Sequence, residues 1–351
     1  MNIKSLLLGS AAALAAVSGA QAADAIIAAE PEPMEYVRVC DAFGTGYFYI
    51  PGTETCLKVG GRVRYDVGAG DAYSPNSGTG LYSNTRAELY LDSASDTEFG
   101  PLKTKIVARW DWQNNRSTTV IDSNGDTSVI GLEDTRARLI QANISLGGFL
   151  VGLADSQFSA FSGYAGDVIN DDVISYGPFE LDQISYTFDG GNGFKAVFSL
   201  ENIGDLSRDD DYYPDFVAGV GYSAGSWGVN VVGGYDESVD EGAIKARLDA
   251  KFGGIYAFLM GGWKSDGDIT YTYGQWGGDW AVWGGVGGNL TEKLAANLQL
   301  AYDDLDTFAA TANLDWTVVP GMHIVPEVSY TNFDAVDEDQ WAGMVRFQRT
   351  F

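Results

Sequence analysis

Apolar and polar residues alternate along much of this chain with a period of two. In residues 57–67, apolar side chains and glycine occupy the odd positions, whereas Lys58, Arg62 and Arg64 occupy even ones. Successive side chains of a β-strand point to opposite faces, so this pattern predicts a strand with one apolar and one charged face. Later segments repeat it, and nine basic residues share the charged faces: Lys58, Arg62, Arg64, Arg86, Lys103, Lys105, Arg109, Arg136 and Arg138.

The alternation predicts sixteen strands, most of them about 9–12 residues long, which suits tilted strands that cross hydrocarbon. An even number is typical of single-chain bacterial barrels. The predicted strands are 57–67, 81–92, 101–112, 131–146, 149–157, 181–189, 194–202, 214–223, 227–236, 242–252, 255–264, 278–288, 294–303, 307–317, 322–333 and 340–351.

The connections between these strands alternate in length. Short turns are predicted at Gly147-Gly148, 190–193, 223–226, 253–254 and Pro320-Gly321. Longer polar loops, which we expect outside the cell, are predicted at 68–80, 113–130, 203–213, 265–277 and 334–339. A soluble sandwich has no reason for two such different rims, so the pattern predicts an all-β fold, a 16-stranded antiparallel transmembrane barrel.

The later strands also separate apolar from basic positions. Lys or Arg exposed to lipid at the bilayer midplane costs about 2–4 kcal/mol, so we expect the charged faces to line the lumen. Five further basic residues have this inward parity: Lys195, Lys245, Arg247, Lys251 and Arg346. Arg349 has the outward parity but lies near the last rim, where the cost is smaller. The facing of 227–236, 255–264 and 278–288 stays open, and a neighbouring subunit is one candidate contact for them.

A long insertion, residues 158–180, follows the fifth predicted strand. It carries Asp167, Asp171 and Asp172 but no basic residue, and it is rich in apolar side chains. A loop folded into the lumen could bury the apolar residues and turn its acids toward the basic residues of the early strands, which together are called here the basic wall. A surface lid is the alternative. Opposite charges across a narrow passage would sieve solutes by charge and size.

Composition narrows the class of protein further. Residues 1–22 have the basic start, short apolar core and small-residue cleavage site of a signal peptide. Residues 23–56 would then form an N-terminal segment, and 57–351 the barrel domain. The formal net charge of −27 disfavours nucleic acid as a partner. No later apolar run reaches the roughly 18 residues of a spanning helix.

Few residues suggest other chemistry. Cys40 and Cys56 are the only cysteines, and in an exported chain they predict a disulfide rather than a metal site. His323 is the only histidine, which leaves little basis for an enzyme, and no cofactor is expected. The acidic runs at 122–126 and 208–215 could attract calcium weakly, although neither completes a calcium-loop signature.

Several strings are similar to the general porins of alphaproteobacteria, the rhizobial-type porin family. They are YVRVCDAFGTGYFYIPGTETCLKVGGRVRYDV, GYAGDVINDDVIS, YGQWGGDWAVWGG, PEVSYTNF and the ending VRFQRTF. The chain also ends on an aromatic residue, Phe351, as outer-membrane barrels do.

The resemblance implies a barrel in the outer membrane, in contact with its lipid and lipopolysaccharide, and usually a homotrimer. Such barrels pass ions and small hydrophilic solutes through a constriction formed by the third long loop. By this match, Asp167, Asp171 and Asp172 lie on the constriction loop. Parity alone assigns the facing wall to Arg62, Arg64, Lys103, Lys105, Arg109, Arg136 and Arg138. A solute-selective channel or a surface-binding barrel with a saturable site is the alternative function, and an outer-membrane hydrolase a more distant one.

Overall fold

The structure is a computed structural model that describes residues 37–70, 80–121, 127–202, 213–334 and 337–351. Within 114–135 it describes only the backbone strands. The predicted signal peptide, the acidic run 122–126 and most of the run 208–215 lie outside the described residues. Val39–Phe351 form one compact unit.

Strands make up almost all of the described secondary structure. The one helix among the described residues, α1 (Gln157–Ala160), is a single turn, and no described helix is long and apolar enough to cross a membrane. The strands are β1 Phe48–Tyr49, β2 Cys56–Gly70, β3 Gly80–Ser95, β4 Leu102–Ile121, β5 Thr127–Leu146, β6 Phe149–Asp155, β7 Glu180–Asp189, β8 Phe194–Glu201, β9 Asp215–Ser223, β10 Trp227–Asp236, β11 Glu241–Phe252, β12 Ile255–Lys264, β13 Trp280–Thr291, β14 Leu294–Asp303, β15 Thr307–Val319, β16 Met322–Phe333 and β17 Glu338–Thr350.

The sheet closes on itself. Each strand from β2 to β16 pairs antiparallel with the next, and β17 pairs with β2 from Ala342↔Gly70 to Thr350↔Arg62. Phe351 extends this last ladder, because its backbone N–H and carbonyl both bond to Gly61, at 3.0 and 2.9 Å. The short β1 pairs with the start of β2, and its Phe48 also bridges Val39. The predicted 16-stranded antiparallel barrel is confirmed.

The predicted loop 113–130 is wrong over most of its length. β4 continues to Ile121 and β5 begins at Thr127, so both strands run well beyond the predicted ends. The Asp, Ser and Asn residues between these strands suggested a long loop. The Thr, Val and Ile residues at 118–121 and 127–130 instead favour extended backbone, and they pair across the two strands.

The five predicted short turns lie on one rim of the barrel. Each connects an odd-numbered strand to the following even-numbered one, so the antiparallel order places them together. Gly147 and Gly148 have φ of +57° and +95°, a conformation that favours glycine in tight hairpins. The opposite rim, called here the loop rim, carries the longer connections, although 237–240 and 304–306 are also short.

The outer wall of the barrel is apolar, as the parity predicts. Large side chains at the predicted outward positions are exposed, among them Val63, Trp110, Tyr186, Phe198 and Leu248. A wall of exposed apolar side chains suits lipid rather than water. Arg349 lies at the short-turn rim, where its Nη1 donates to the carbonyls of Pro320 and Thr350, at 2.9 and 2.8 Å.

The hydrophobic core lies inside the barrel. Phe258 and Met260 on β12 and Trp283 on β13 point inward and pack with residues of the loops that follow β6 and β12. This packing explains why β12 and β13 are apolar on both faces: one face contacts lipid and the other contacts loops within the lumen. The loop at 265–277, expected outside the cell, therefore folds partly inside, with Tyr273 and Trp276 buried.

Candidate functional site in the barrel lumen

The acidic loop, residues 156–179, connects β6 to β7 and folds into the lumen. It begins with Ser156, which caps α1 by accepting the backbone N–H of Phe158 at 3.1 Å. The hydroxyl of Ser156 donates to the Glu201 carboxylate on β8 at 2.6 Å. The backbone N–H of Gln157 donates to the same carboxylate at 2.8 Å. The start of the loop is therefore tied to the wall two strands beyond β6.

The middle of the acidic loop reaches the far wall. The backbone N–H groups of Ile169 and Asn170 donate to the Glu327 carboxylate on β16, at 2.5 and 2.9 Å. Asn313 donates from its side chain to the Asp167 carbonyl at 3.0 Å and to Glu327 at 2.9 Å. A buried carboxylate thus satisfies loop N–H groups that would otherwise lose their bonds to water.

The returning half of the acidic loop is bound to the strands in between. Gln299 donates to the Asp171 carbonyl at 2.8 Å, and Trp283 Nε1 donates to the Ile174 carbonyl at 2.9 Å. Lys245, fully buried on β11, donates to the Tyr176 carbonyl. These bonds hold the loop against the β8–β16 wall, which leaves β2–β5 to face the open part of the lumen.

The predicted basic residues lie on β2–β5 in successive cross-strand rows. Arg62 pairs in register with Glu88, which pairs with Arg109 and then Arg138. The next row towards the loop rim contains Arg64, Arg86, Asp111 and Arg136. Towards the short-turn rim, one row contains Lys58, Asp92 and Lys105, and the row beyond it contains Lys103. Rows two residues apart along a strand differ in height by roughly 7 Å. The seven predicted wall residues are therefore distributed over four heights.

The basic wall also contains carboxylates, which bind its guanidinium groups. Glu88 is 5% exposed and lies 2.5 Å from Arg62 and 2.6 Å from Arg109. Asp111 lies 2.6 Å from Arg86, and Asp66 binds Arg346 through two bonds of 2.8 and 2.9 Å. Parity indicates that Asp66 and Glu88 face inward, but it gives no sign of which arginine each would bind.

Asp171 shares one cavity with much of the basic wall. This cavity has a volume of about 900 Å³ and is also lined by Arg62, Arg86, Lys105, Arg109 and Arg138. Asp167 lines a second cavity of about 600 Å³, together with His323, Arg346 and several amide side chains. Asp172 is exposed but lines neither cavity, and Arg64, Lys103 and Arg136 also line neither. The structure thus brings together only part of the predicted set.

The surroundings of Asp171 favour its protonated form. Burial and the neighbouring Asp172 raise the pKa of Asp171 to about 7, although the Tyr176 hydroxyl donates to its Oδ2 at 2.8 Å. The pKa of Asp172 is also raised by burial, because the surrounding barrel wall displaces bulk water even though the side chain itself is exposed within the lumen. The charge on this side of the lumen therefore depends on pH near neutrality.

The remaining predicted residues lie near the short-turn rim. Cys40 and Cys56 form a disulfide with Cα atoms 6.1 Å apart, and it ties the residues before β1 to the first barrel strand. His323 faces the lumen from β16, and its Nδ1 lies 2.7 Å from Asp315. Among the described residues, no group of three or more His, Cys, Asp or Glu side chains could hold a metal ion.

A closed barrel with an apolar outside, a charged lumen and a loop folded inside defines an outer-membrane channel of the porin class. A family model described as "Porin subfamily" matches residues 24–347, so the chain belongs to this porin family. The chain is 50% identical to porin Omp2b of Brucella suis biovar 1 (strain 1330), with full coverage of both chains. The resemblance to alphaproteobacterial porins is thereby confirmed.

Solved structures share the fold at low sequence identity. The outer membrane channel DcaP of Acinetobacter baumannii aligns with a TM-score of 0.62 and 16% identity, covering 86% of this chain and 99% of that one. OmpT of Vibrio cholerae, in its trimer form, aligns with a TM-score of 0.55 and 9% identity, covering 85% and 100%. The protein is an outer-membrane porin channel rather than an enzyme.

Proposed function

We propose that this porin is a general diffusion channel, in which ions and small hydrophilic solutes pass between the basic wall and the acidic loop. The observation that carries the proposal is the cavity shared by Asp171, Arg62, Arg109 and Arg138. Passage through it needs no bond to form or break. The fixed charges would orient water and select solutes by size and charge.

The ion pairs within the wall keep its guanidinium groups in place. Because Glu88 holds Arg62 and Arg109 from a buried position, their side chains cannot swing freely into the passage. Arg138, with its side chain 48% exposed, has a longer contact of 3.3 Å to Glu180 and retains access to passing anions. The acidic loop offers cations the opposite wall. A transverse field between the two sides is the electrostatic part of the proposed constriction.

Planar-bilayer recording tests this function. Purified protein should insert in discrete steps, and its conductance should be ohmic and should rise with salt concentration. Small sugars should cause no saturable block of this conductance. Replacing both Asp171 and Asp172 with Asn should shift the reversal potential in a salt gradient towards anion preference. Unchanged reversal potentials would contradict the assignment of these acids to the constriction, and absence of conductance would contradict the channel itself.

A solute-selective channel with a saturable site is the second candidate function. The cavity beside Asp167 favours it, because Asn289, Asn297, Asn313 and Gln348 line this space with hydrogen-bonding groups. Such a site would make conductance fall at micromolar concentrations of its solute. Liposome swelling rates for a panel of sugars and amino acids would show saturation for one solute class, whereas a diffusion porin would discriminate by size.

We also propose the assembly and processing that the porin family suggests. Residues 1–22 are removed on export, 23–56 form the N-terminal segment with its disulfide, and 57–351 form the barrel. The porin acts as a homotrimer, as the trimer form of the Vibrio cholerae relative suggests, surrounded by outer-membrane lipid and lipopolysaccharide. N-terminal sequencing of the mature protein and mass measurement of the detergent-solubilised complex test these statements.

A further inference from the structure

The loop between β12 and β13, residues 265–279, folds inward and buries its aromatic side chains. Tyr273 is 0% exposed and Trp276 is 1% exposed, although both belong to a polar, glycine-rich segment. Glycine makes room for both rings: a Cβ at Gly234 would lie 2.5 Å from the Tyr273 ring, and one at Gly262 would lie 2.9 Å from the Trp276 ring. The wall is shaped to receive this loop.

The base of this loop is held by Lys264, the last residue of β12. Lys264 is 1% exposed, and its Nζ donates to three loop carbonyls, those of Ile269, Gly274 and Trp276, at 2.7, 3.3 and 2.9 Å. The Tyr271 hydroxyl donates to the Gly242 carbonyl at 2.7 Å. A buried ammonium group that satisfies three carbonyls favours one conformation of the loop over others.

The loop contacts both halves of the acidic loop. The ring centroids of Phe158 and Tyr273 are 5.3 Å apart, and the Tyr273 hydroxyl donates to Glu201 at 3.2 Å. Glu201 is the carboxylate that also binds Ser156 and Gln157 at the start of the acidic loop. At the other end, Ser175 donates to Gln275 at 2.7 Å. One carboxylate and two side-chain contacts thus connect the two loops.

We propose that residues 265–279 form a clamp that fixes the acidic loop in place and so sets the cross-section of the channel. Tyr273 and Trp276 are its positioning residues. The Trp276 ring packs on Trp283, with centroids 5.7 Å apart, and Trp283 in turn donates to the Ile174 carbonyl of the acidic loop. The clamp rests on the proposed diffusion function, because it matters only if solutes pass beside the acidic loop.

The test combines two alanine variants, Tyr273→Ala and Trp276→Ala, with single-channel recording. Without the clamp, the acidic loop should fluctuate, and the open-channel current variance should rise by at least about twofold. Liposome swelling should also admit larger sugars. Thr270→Ala, which changes an exposed side chain in the same loop, is the matched control and should behave as the unchanged porin does. Unheated gel migration confirms that each barrel is folded.

A disulfide between the two loops provides a second measurement. The pair Ser175→Cys and Gln275→Cys replaces two side chains already in contact. Oxidation should leave the conductance of this pair unchanged and should restore quiet currents when the pair is combined with Tyr273→Ala. The unchanged porin under the same oxidant and reductant controls for the Cys40–Cys56 disulfide.

The possible failures of the two proposals are distinguishable. If the unchanged porin conducts but the alanine variants show equal noise and the same size limit, the clamp is wrong and the diffusion function stands. Currents that stay noisy in Tyr273→Ala after the disulfide has formed would also contradict the clamp. If the unchanged porin does not conduct, the proposed function itself fails.

Discussion

Asp171 is a carboxylate of the acidic loop whose pKa lies close to neutral pH. Because burial and Asp172 raise its pKa to about 7, it is largely neutral at pH 6 and largely charged at pH 8. We expect cation preference, measured as the reversal potential in a potassium chloride gradient, to rise over this range. Asp171→Asn should reduce the rise, and Asp96→Asn, at an exposed turn, should retain it in full. A pH-independent reversal potential in the unchanged porin would contradict the assignment.

The raised pKa of Asp171 also makes the stability of the folded porin depend on pH. The folded state retains the Asp171 proton up to about pH 7, whereas an unfolded aspartate releases it near pH 4. Between these values the folded state binds more protons, so the contribution of Asp171 to stability falls as pH rises. Asp171→Asn should therefore stabilise the porin at pH 8 more than at pH 4.

Glu88 is the carboxylate on which the basic wall depends most. It is buried between Arg62 and Arg109, so Glu88→Gln would remove the close counter-charge of both guanidinium groups and leave Arg109 with the longer contact to Glu180, at 3.9 Å. We expect a loss of about 3 kcal/mol, the low end for a broken buried pair, because both arginines keep some exposure. Urea unfolding followed by tryptophan fluorescence measures the loss. Glu98→Gln, at an exposed turn, should change stability little, and an equal effect of both changes would contradict the role of Glu88.

At the scale of single elements, the acidic loop depends on a carboxylate 158 residues away in sequence. Glu327 accepts the N–H groups of Ile169 and Asn170, and an amide at this position would accept fewer bonds and add a donor. Glu327→Gln should cost about 1–3 kcal/mol of local stability at the loop tip. Hydrogen exchange of the loop amides should accelerate while the barrel amides do not. Uniform exchange across loop and barrel would show that the loop tip is held by other contacts.

The sequence predicts the strands more closely than the loops, for a physical reason. Alternation is a local property, so β10, β12, β14 and β16 begin and end at the predicted residues. The burial of Tyr273 and Trp276 depends on glycines in other strands and on a lysine at the end of β12, which no local pattern indicates. Polar composition at 265–277 therefore suggested an outer loop, and the structure places much of it inside.

The candidate site shows the same division between local and distant information. Parity predicts that Arg62, Arg109 and Arg138 face inward, and the acidic insertion predicts a loop inside the barrel. Only the register of four strands shows that these three arginines share one row and that Lys103 lies in another. Glu88 is visible in the sequence as an inward acid, but its partners come from neighbouring strands.

At the scale of the whole molecule, charge is unequally distributed between lumen and loop rim. In the lumen, acids and arginines pair. From residue 213 onward, the only basic residue on the described part of the loop rim is Lys264, which is buried. Nine carboxylates are exposed there: Asp240, Asp268, Asp279, Asp304, Asp306, Asp334, Asp337, Glu338 and Asp339. This rim should raise the local concentration of cations at the mouth of the channel.

The effect of this rim should depend strongly on salt, unlike that of the paired charges inside. The Debye length is about 30 Å at 10 mM salt and about 3 Å at 1 M, so distant rim carboxylates act on the mouth only at low salt. We expect cation preference, from reversal potentials at a fixed concentration ratio, to be clear near 10 mM and to weaken towards 1 M. The triple change Asp268→Asn, Asp304→Asn and Asp337→Asn should reduce the low-salt preference and leave the high-salt value unchanged. Asn tolerates the φ of +54° at position 337, so the rim backbone is retained. Equal selectivity at both salt concentrations would instead assign the ion preference to the passage between Asp171 and the arginine row.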